Sequence, residues 1–430
     1  MKKLIYTLIF ILILHCTLNI ENCFSQSGWF QVSSGTIGNF TSAFFTDENT
    51  GYVTGFNGTA VKTTNAGVNW FSLSVPTTNV LRFVFFTDVN TGYIASGNVS
   101  NNNLGDAFKT TNAGNTWNAL SLPEYTHFFS VFFINTNTGY LGGYDKILKT
   151  TTAGNLWESQ SFTGFAFISS IYFVNANTGY ACSYGNYKIL KTTNGGTSWQ
   201  EIFTYISSIL GICFIDANTG FAVGGGPTST GVAMILRTTN GGLNWDINTF
   251  SNINILWSVR FVNPTIGFAV GGGPGYSKIL KTTNAGINWY PQVSNAYNYF
   301  RGNYFTSQNT GYVVESGTGG TIYKTTDGGG TMLRINPGNN QIPEKFSLSQ
   351  NYPNPFNPST NIRYTLPKNS FVSLKVYNVL GKEVASLVNE KLSAGVYEVN
   401  WSGVNYPSGV YFYKLIANDY VNVKKMVLVK

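Results

Sequence analysis

The chain has 430 residues, of which 43% are hydrophobic, 16% aromatic and only 10% charged, with 47 glycines and a formal charge of +8. That composition excludes charged disorder and long amphipathic helices, and it fits an all-β, turn-dense protein with ample aromatic surface for a core. The charge does not point to nucleic acid. Residues 28–335 hold 14 basic and 12 acidic side chains, and half of the basic ones belong to an evenly spaced repeat rather than a patch.

At the N-terminus, Lys2 and Lys3 precede an apolar run from Leu4 to Leu14 that is too short to span a bilayer as a mature helix. Residues 1–25 are therefore read as a signal peptide, and no transmembrane segment is expected after its removal. The mature chain keeps Cys182, Cys213 and one histidine, His127. A disulfide between the two cysteines is conceivable. Two buried free thiols acting as small hydrophobes are the preferred reading. No cofactor and no metal site is expected.

From residue 26 to 335 one unit recurs. A Lys/Arg-Thr-Thr run begins at Lys62, Lys109, Lys149, Lys191, Arg237, Lys281 and Lys324, at intervals of 47, 40, 42, 46, 44 and 43 residues. Six copies reach a tryptophan eight residues later: Trp70, Trp117, Trp157, Trp199, Trp245 and Trp289; the seventh has Met332. A period in the forties, rich in β-formers and turn residues, predicts a propeller blade of four strands. In each unit an apolar run such as Phe44-Phe45 forms the innermost strand, buried on both faces. A tight turn such as Asn49-Thr50-Gly51 follows, then a second strand opening on Tyr52, a third carrying the Lys-Thr-Thr, and a glycine turn before the tryptophan. Trp29-Phe30-Gln31-Val32 matches the strand after the tryptophan but has no blade before it. It can complete blade seven, whose own version is Met332-Leu333-Arg334-Ile335, and so close the ring. Seven blades are predicted.

The Lys-Thr-Thr hairpin resembles the Asp-box, or BNR, repeat of sialidase-type and sortilin-type propellers, Ser/Thr-x-Asp-x-Gly-x-x-Trp. Asn fills the acidic position in most copies, Thr152 stands there in blade three as a weaker cap, and Asp appears only at Asp327. The resemblance implies that the six tryptophans and Asp327 are folding devices. Residues 28–335 as a whole resemble the photosystem II stability/assembly factor family, through Phe-Phe-x-Asp-x-x-Thr-Gly-Tyr and Lys-Thr-Thr-Asn-x-Gly-x-x-Trp. That resemblance implies a seven-bladed β-propeller.

Residues 336–345 read as a polar linker containing Gly338 and Pro343. Beyond them, Phe346 to Pro358, Val376 to Gly381, Ala394 to Tyr397, Ser408 to Tyr411 and Lys425 to Lys430 are short runs between turn signals. They predict a small Ig-like antiparallel β-sandwich. The fold class is thus all-β, a propeller followed by a sandwich. The strings in residues 346–430 resemble the type A C-terminal sorting domain of the type IX secretion system. This implies that the tail engages the type IX machinery and that the protein crosses the outer membrane of a diderm bacterium. It also implies that the tail is removed and the body released or attached at the surface. A protein exported in this way cannot assemble a photosystem inside a cell, so the propeller likeness implies fold and not role.

The first and third hairpins of every blade share one face of the ring, and length variation collects on the opposite face, where loops on a rigid scaffold usually bind. On that face, the position four residues before the shared Phe reads Thr41, Arg82, Phe129, Ser169, Leu210, Trp257 and Arg301 around the ring. Arg82, Arg301, Trp257 and Phe129, with Glu124 and His127 on the connection into blade three, form the candidate ligand site for a carboxylate, a sulfated sugar or a peptide terminus. Two functions compete. One is a non-enzymatic, monomeric scaffold that binds a glycan or protein at the cell surface or outside the cell. The other is a secreted glycoside hydrolase of the Asp-box propeller type, which needs two carboxylates facing a cleft. Glu124, Glu158, Glu201, Asp246 and Glu315 show no convergent pairing and no arginine triad is evident. No catalytic residue is assigned, and binding is favoured.

Overall fold

A computed structural model describes residues 28–97, 105–123, 126–162, 167–226, 231–250, 253–273, 276–292, 298–317, 319–329, 333–335, 343–392, 394–403 and 406–430. The expected signal segment, Met332 and residues 336–342 of the expected linker lie outside them. Every regular element among the described residues is a β-strand.

Blade one runs outward through Phe40–Phe45, Gly51–Gly55, Ala60–Thr63 and Phe71–Leu73, each antiparallel to the last. Five further blades repeat this order from inner strands Leu81–Phe86, Phe128–Phe133, Phe167–Phe173, Ser208–Phe214 and Ile255–Phe261. The seventh is Tyr299–Phe305, Gly311–Ser316 and Ile322–Thr325, and its outer strand is Phe30–Val32, with Phe30 opposite Lys324 and Val32 opposite Ile322. Leu333–Ile335, expected to fall within the propeller, instead pairs with Tyr397–Val399 of the C-terminal sheet. The reason is occupancy: the N-terminal strand already holds the free edge of blade seven's third strand.

A blade has two apolar faces, and its neighbours cover both. The ring that opens each second strand lies flat on the next blade's phenylalanine: Tyr52 on Phe86 at 4.0 Å, Tyr93 on Phe133 at 4.0 Å, and so round to Tyr312 on Phe45 at 4.0 Å. The repeated cation does the rest. Lys62 Nζ donates to Ala113 O of blade two at 2.7 Å, and Tyr52 donates its hydroxyl to the same oxygen at 3.0 Å. Lys109, Lys149, Lys191 and Lys281 repeat the bond onto Ala153, Gly195, Gly241 and Gly328, and Arg237 makes it through Nε to Ala285. Lys324 closes the circle on Ala66 of blade one at 2.7 Å. The Lys-Thr-Thr lysine is a latch between blades, a role its spacing alone does not reveal. Gly67, at φ 77°, follows the accepting Ala66; a Cβ there would come within 3.0 Å of the Tyr312 ring, so both backbone and packing require glycine.

Within each Lys-Thr-Thr hairpin the threonine and the Asn tie the turn. Thr63 Oγ1 accepts from Gly67 N at 2.9 Å and donates to Asn65 Oδ1 at 3.0 Å, and Asn65 Oδ1 accepts from Asn69 N at 2.9 Å. In blade three Thr152 Oγ1 keeps the equivalent bond, accepting from Leu156 N at 2.9 Å. In blade seven Asp327 accepts from Thr325 Oγ1 and also from Gly28 N at 2.9 Å, tying the closing strand to the turn. The tryptophans of all six hairpins are buried, and Trp70 meets Phe45 edge-on at 6.2 Å.

The C-terminal unit packs two four-stranded sheets. One is Leu333–Ile335, Gly395–Ser402, Ser359–Leu366 and Ser347–Leu348; the other is Glu383–Leu392, Ser370–Asn378, Gly409–Ala417 and Tyr420–Leu428. Alternating side chains such as Val372, Leu374 and Val376 meet Ile362, Tyr364 and Leu366 in one core.

Candidate functional site

The seven inner strands surround a central channel of about 520 Å³. Each of them slips register against its second strand at one point: between Phe40 and Ser42, Leu81 and Phe83, Phe128 and Ser130, Ile168 and Ser170, Ile209 and Gly211, Leu256 and Ser258, and Phe300 and Gly302. The residue left over in each slip is Thr41, Arg82, Phe129, Ser169, Leu210, Trp257 or Arg301. A bulge takes a side chain out of the alternation of its strand and re-aims it. All seven of these residues line the channel.

Four of the sequence-predicted residues come together here, joined by one the sequence did not single out. Arg301 lies 4.1 Å over the Trp257 ring and 5.7 Å from the Phe56 ring; Arg82 lies 5.9 Å from the same Phe56 and 5.5 Å from Phe129. Phe56 follows the second strand of blade one and is interleaved between the two cations. The arc continues through Phe129 to Phe167 at 5.7 Å, then to Tyr144 at 4.6 Å and Tyr184 at 5.9 Å. Those two tyrosines are 39% and 38% exposed, so the arc ends in open aromatic faces.

Arg82 spends one donor, Nε to Gly97 O at 3.0 Å. Arg301 Nε is buried and has no hydrogen-bond acceptor among the described residues. Burial lowers the pKa of both guanidinium groups, that of Arg301 to about 10, with repulsion from Arg82 adding to the effect and Tyr299 opposing it. Burial, then the charge of Arg82, also holds His127 below the usual imidazole value. His127 is not among the described residues that line the channel. Glu124 lies outside the described residues.

No aspartate or glutamate is among the described residues lining the channel. Glu158, Glu201 and Asp246 lie on exposed outer strands, and Glu315 is buried with its Oε1 accepting from Asn298 N at 2.9 Å. No group of acidic, histidine and cysteine side chains among the described residues has the makings of a metal site. Cys182 and Cys213 are free and buried, and burial pushes both thiols up to about 12. No described helix is long and apolar enough to cross a membrane.

Residues 350–430 match the secretion system C-terminal sorting domain. No curated protein matches the chain. Among solved structures, YCF48 bound to a D1 peptide is similar at 16% identity, covering 70% of this chain and 98% of that one with a TM-score of 0.56. The extracellular domain of BT4673 from B. thetaiotaomicron is similar at 12% identity over 94% of this chain and 60% of that one, TM-score 0.53. An ancestral GH74 enzyme is similar at 16% identity over 93% and 64%, TM-score 0.51. At these identities the likeness is one of fold. The chain is therefore a seven-bladed β-propeller carrying a type IX C-terminal sorting domain, and it is directed to the surface or exterior of a diderm bacterium.

Proposed function

We propose that the exported propeller is a non-enzymatic binding module that holds an anionic group of a glycan or protein between Arg82 and Arg301 at the channel mouth. One observation carries this reading: two guanidinium groups share the Phe56 ring, and no carboxylate among the described residues lines the channel to neutralise them. Confining two like charges without a counter-ion is unfavourable until an anion arrives, and a planar fork stacked on rings is pre-set for bidentate bonding. Among the described residues the channel likewise presents no pair of carboxylates of the kind glycoside hydrolysis needs.

Glycan and peptide arrays probed with the wild type and with an Arg82→Ala/Arg301→Ala variant test the assignment. Binding to acidic ligands that the double variant loses, by about tenfold or more in affinity, is the expected result. Equal signals from the two proteins would exclude the arginine pair. Turnover of a glycan that collapses on mutating Asp246 or Glu315 would instead establish the hydrolase.

A further inference from the structure

Below the mouth the channel wall changes character twice. The next residue of each inner strand is small at six of seven positions: Ser42, Ser130, Ser170, Gly211, Ser258 and Gly302. Deeper still lies an aromatic belt, with Tyr304 and Phe44 centroids 5.0 Å apart, Phe44 and Phe85 5.2 Å, Phe85 and Phe132 5.6 Å, and Phe132 and Tyr172 5.5 Å. Blades five and six break that belt with Cys213 and Arg260, and the Arg260 guanidinium stands 4.5 Å over the Tyr304 ring. Arg260 lines the channel and has no hydrogen-bond or carboxylate partner among the described residues. The described residues supply this half-buried cation with ring faces and no anion.

We propose that the channel receives the terminal residue of an acidic saccharide end-on, its anionic group meeting Arg260 while the next acidic group is held by Arg82 and Arg301. The proposal rests on the mouth pair binding an anion and goes further by naming the ligand class and its depth. Serine hydroxyls donate and accept, as sugar hydroxyls require. Of these hydroxyls, Ser258 Oγ is taken by Asn303 Oδ1 at 2.9 Å, Ser42 Oγ accepts from Val84 N at 3.4 Å and Ser130 Oγ is buried, so half-buried Ser170 is the one left to meet a sugar. Phe167, Tyr144 and Tyr184 present ring faces at the rim for the apolar side of the following sugars. Every charge among the described residues of the channel wall is positive, so an acidic peptide bearing any lysine or arginine meets repulsion there, whereas a uronate or sulfated chain does not. A cavity of about 520 Å³ is of small-ligand size.

The test is calorimetry on the purified protein with short and long oligogalacturonates, chondroitin sulfate oligosaccharides, their uncharged counterparts and polyglutamate. End-on insertion predicts one protein per chain end whatever the chain length, no affinity for the uncharged sugars, and a loss of about tenfold or more in Arg260→Gln. Thermal unfolding of Arg260→Gln separates misfolding from lost contact. Ser170→Phe, which adds a ring to the channel wall away from the arginines in sequence, is expected to abolish binding as well. If Arg82→Ala/Arg301→Ala loses binding while Arg260→Gln and Ser170→Phe keep it, the mouth site stands and insertion is refuted. Stoichiometry that grows with chain length likewise refutes insertion. Binding of polyglutamate with no binding of either acidic sugar overturns the saccharide class.

Discussion

Lys281 shows how the blade latch can be interrogated one side chain at a time. Burial brings its pKa down to about 8 from the ordinary 10.5, with Asp327 pulling the other way, while its Nζ donates to Gly328 O at 2.7 Å. Below pH 8 the amine is charged in the folded and unfolded chain alike, and the penalty for burying that charge is constant. Between about 8 and 10.5 the folded protein releases the proton while the unfolded chain keeps it, so this lysine's contribution to stability rises with pH across that window. The urea midpoint of the wild type relative to Lys281→Met should therefore shift in favour of the wild type as pH climbs from 8 to 10.5; a gap that stays flat or moves the other way contradicts the assignment. The tyrosine half of the latch is dispensable by the protein's own example, since Phe221 and Phe268 stack at 4.3 and 4.0 Å without a hydroxyl.

At the scale of the element, the Lys-Thr-Thr hairpin is sealed by its indole. Trp157 is buried, meets Phe133 edge-on at 6.2 Å and donates its N–H to Gly154 O at 3.1 Å. Trp157→Ala removes a large buried ring and leaves a cavity, which is expected to cost about 3–5 kcal/mol in chemical unfolding. A cost under about 1 kcal/mol would mean the indole is not a seal. These hairpins were legible in the sequence because a turn built on Thr, Asn and Gly needs its residues at fixed offsets. The mouth residues were legible only as an aligned column. That each is a bulge residue was not, because a slip in pairing leaves no mark in residue type. Phe56 and Tyr144 escaped notice because they lie on hairpins of unequal length, where no column exists. Arg260 stood in plain view as the one cation in a column otherwise aromatic but for Cys213, and its meaning needed the ring of neighbours around it.

For the whole molecule, closure depends on a strand from the opposite end of the repeat. Phe30–Val32 fills the last edge, Gly28 N binds Asp327, and Gln31 Nε2 donates to Tyr323 OH at 2.8 Å. A protein beginning after Ser33 would present Ile322–Thr325 as an unpaired edge. It is expected to melt at lower temperature and to form larger assemblies, seen by calorimetry and light scattering. A truncated chain that stays monodisperse with an unchanged melting temperature would show that the strand is ornamental.

Where the clasp sits also decides what an exported body retains if its tail is severed. Every strand of the wheel lies between Phe30 and Thr325, and the pairing of Leu333–Ile335 belongs to the sandwich alone. A protease acting in the stretch from 336 to 342 would leave each rung of the wheel untouched, taking from the sandwich only one flanking ribbon. The passenger can therefore discard its address label and arrive as a finished, still-fastened disc.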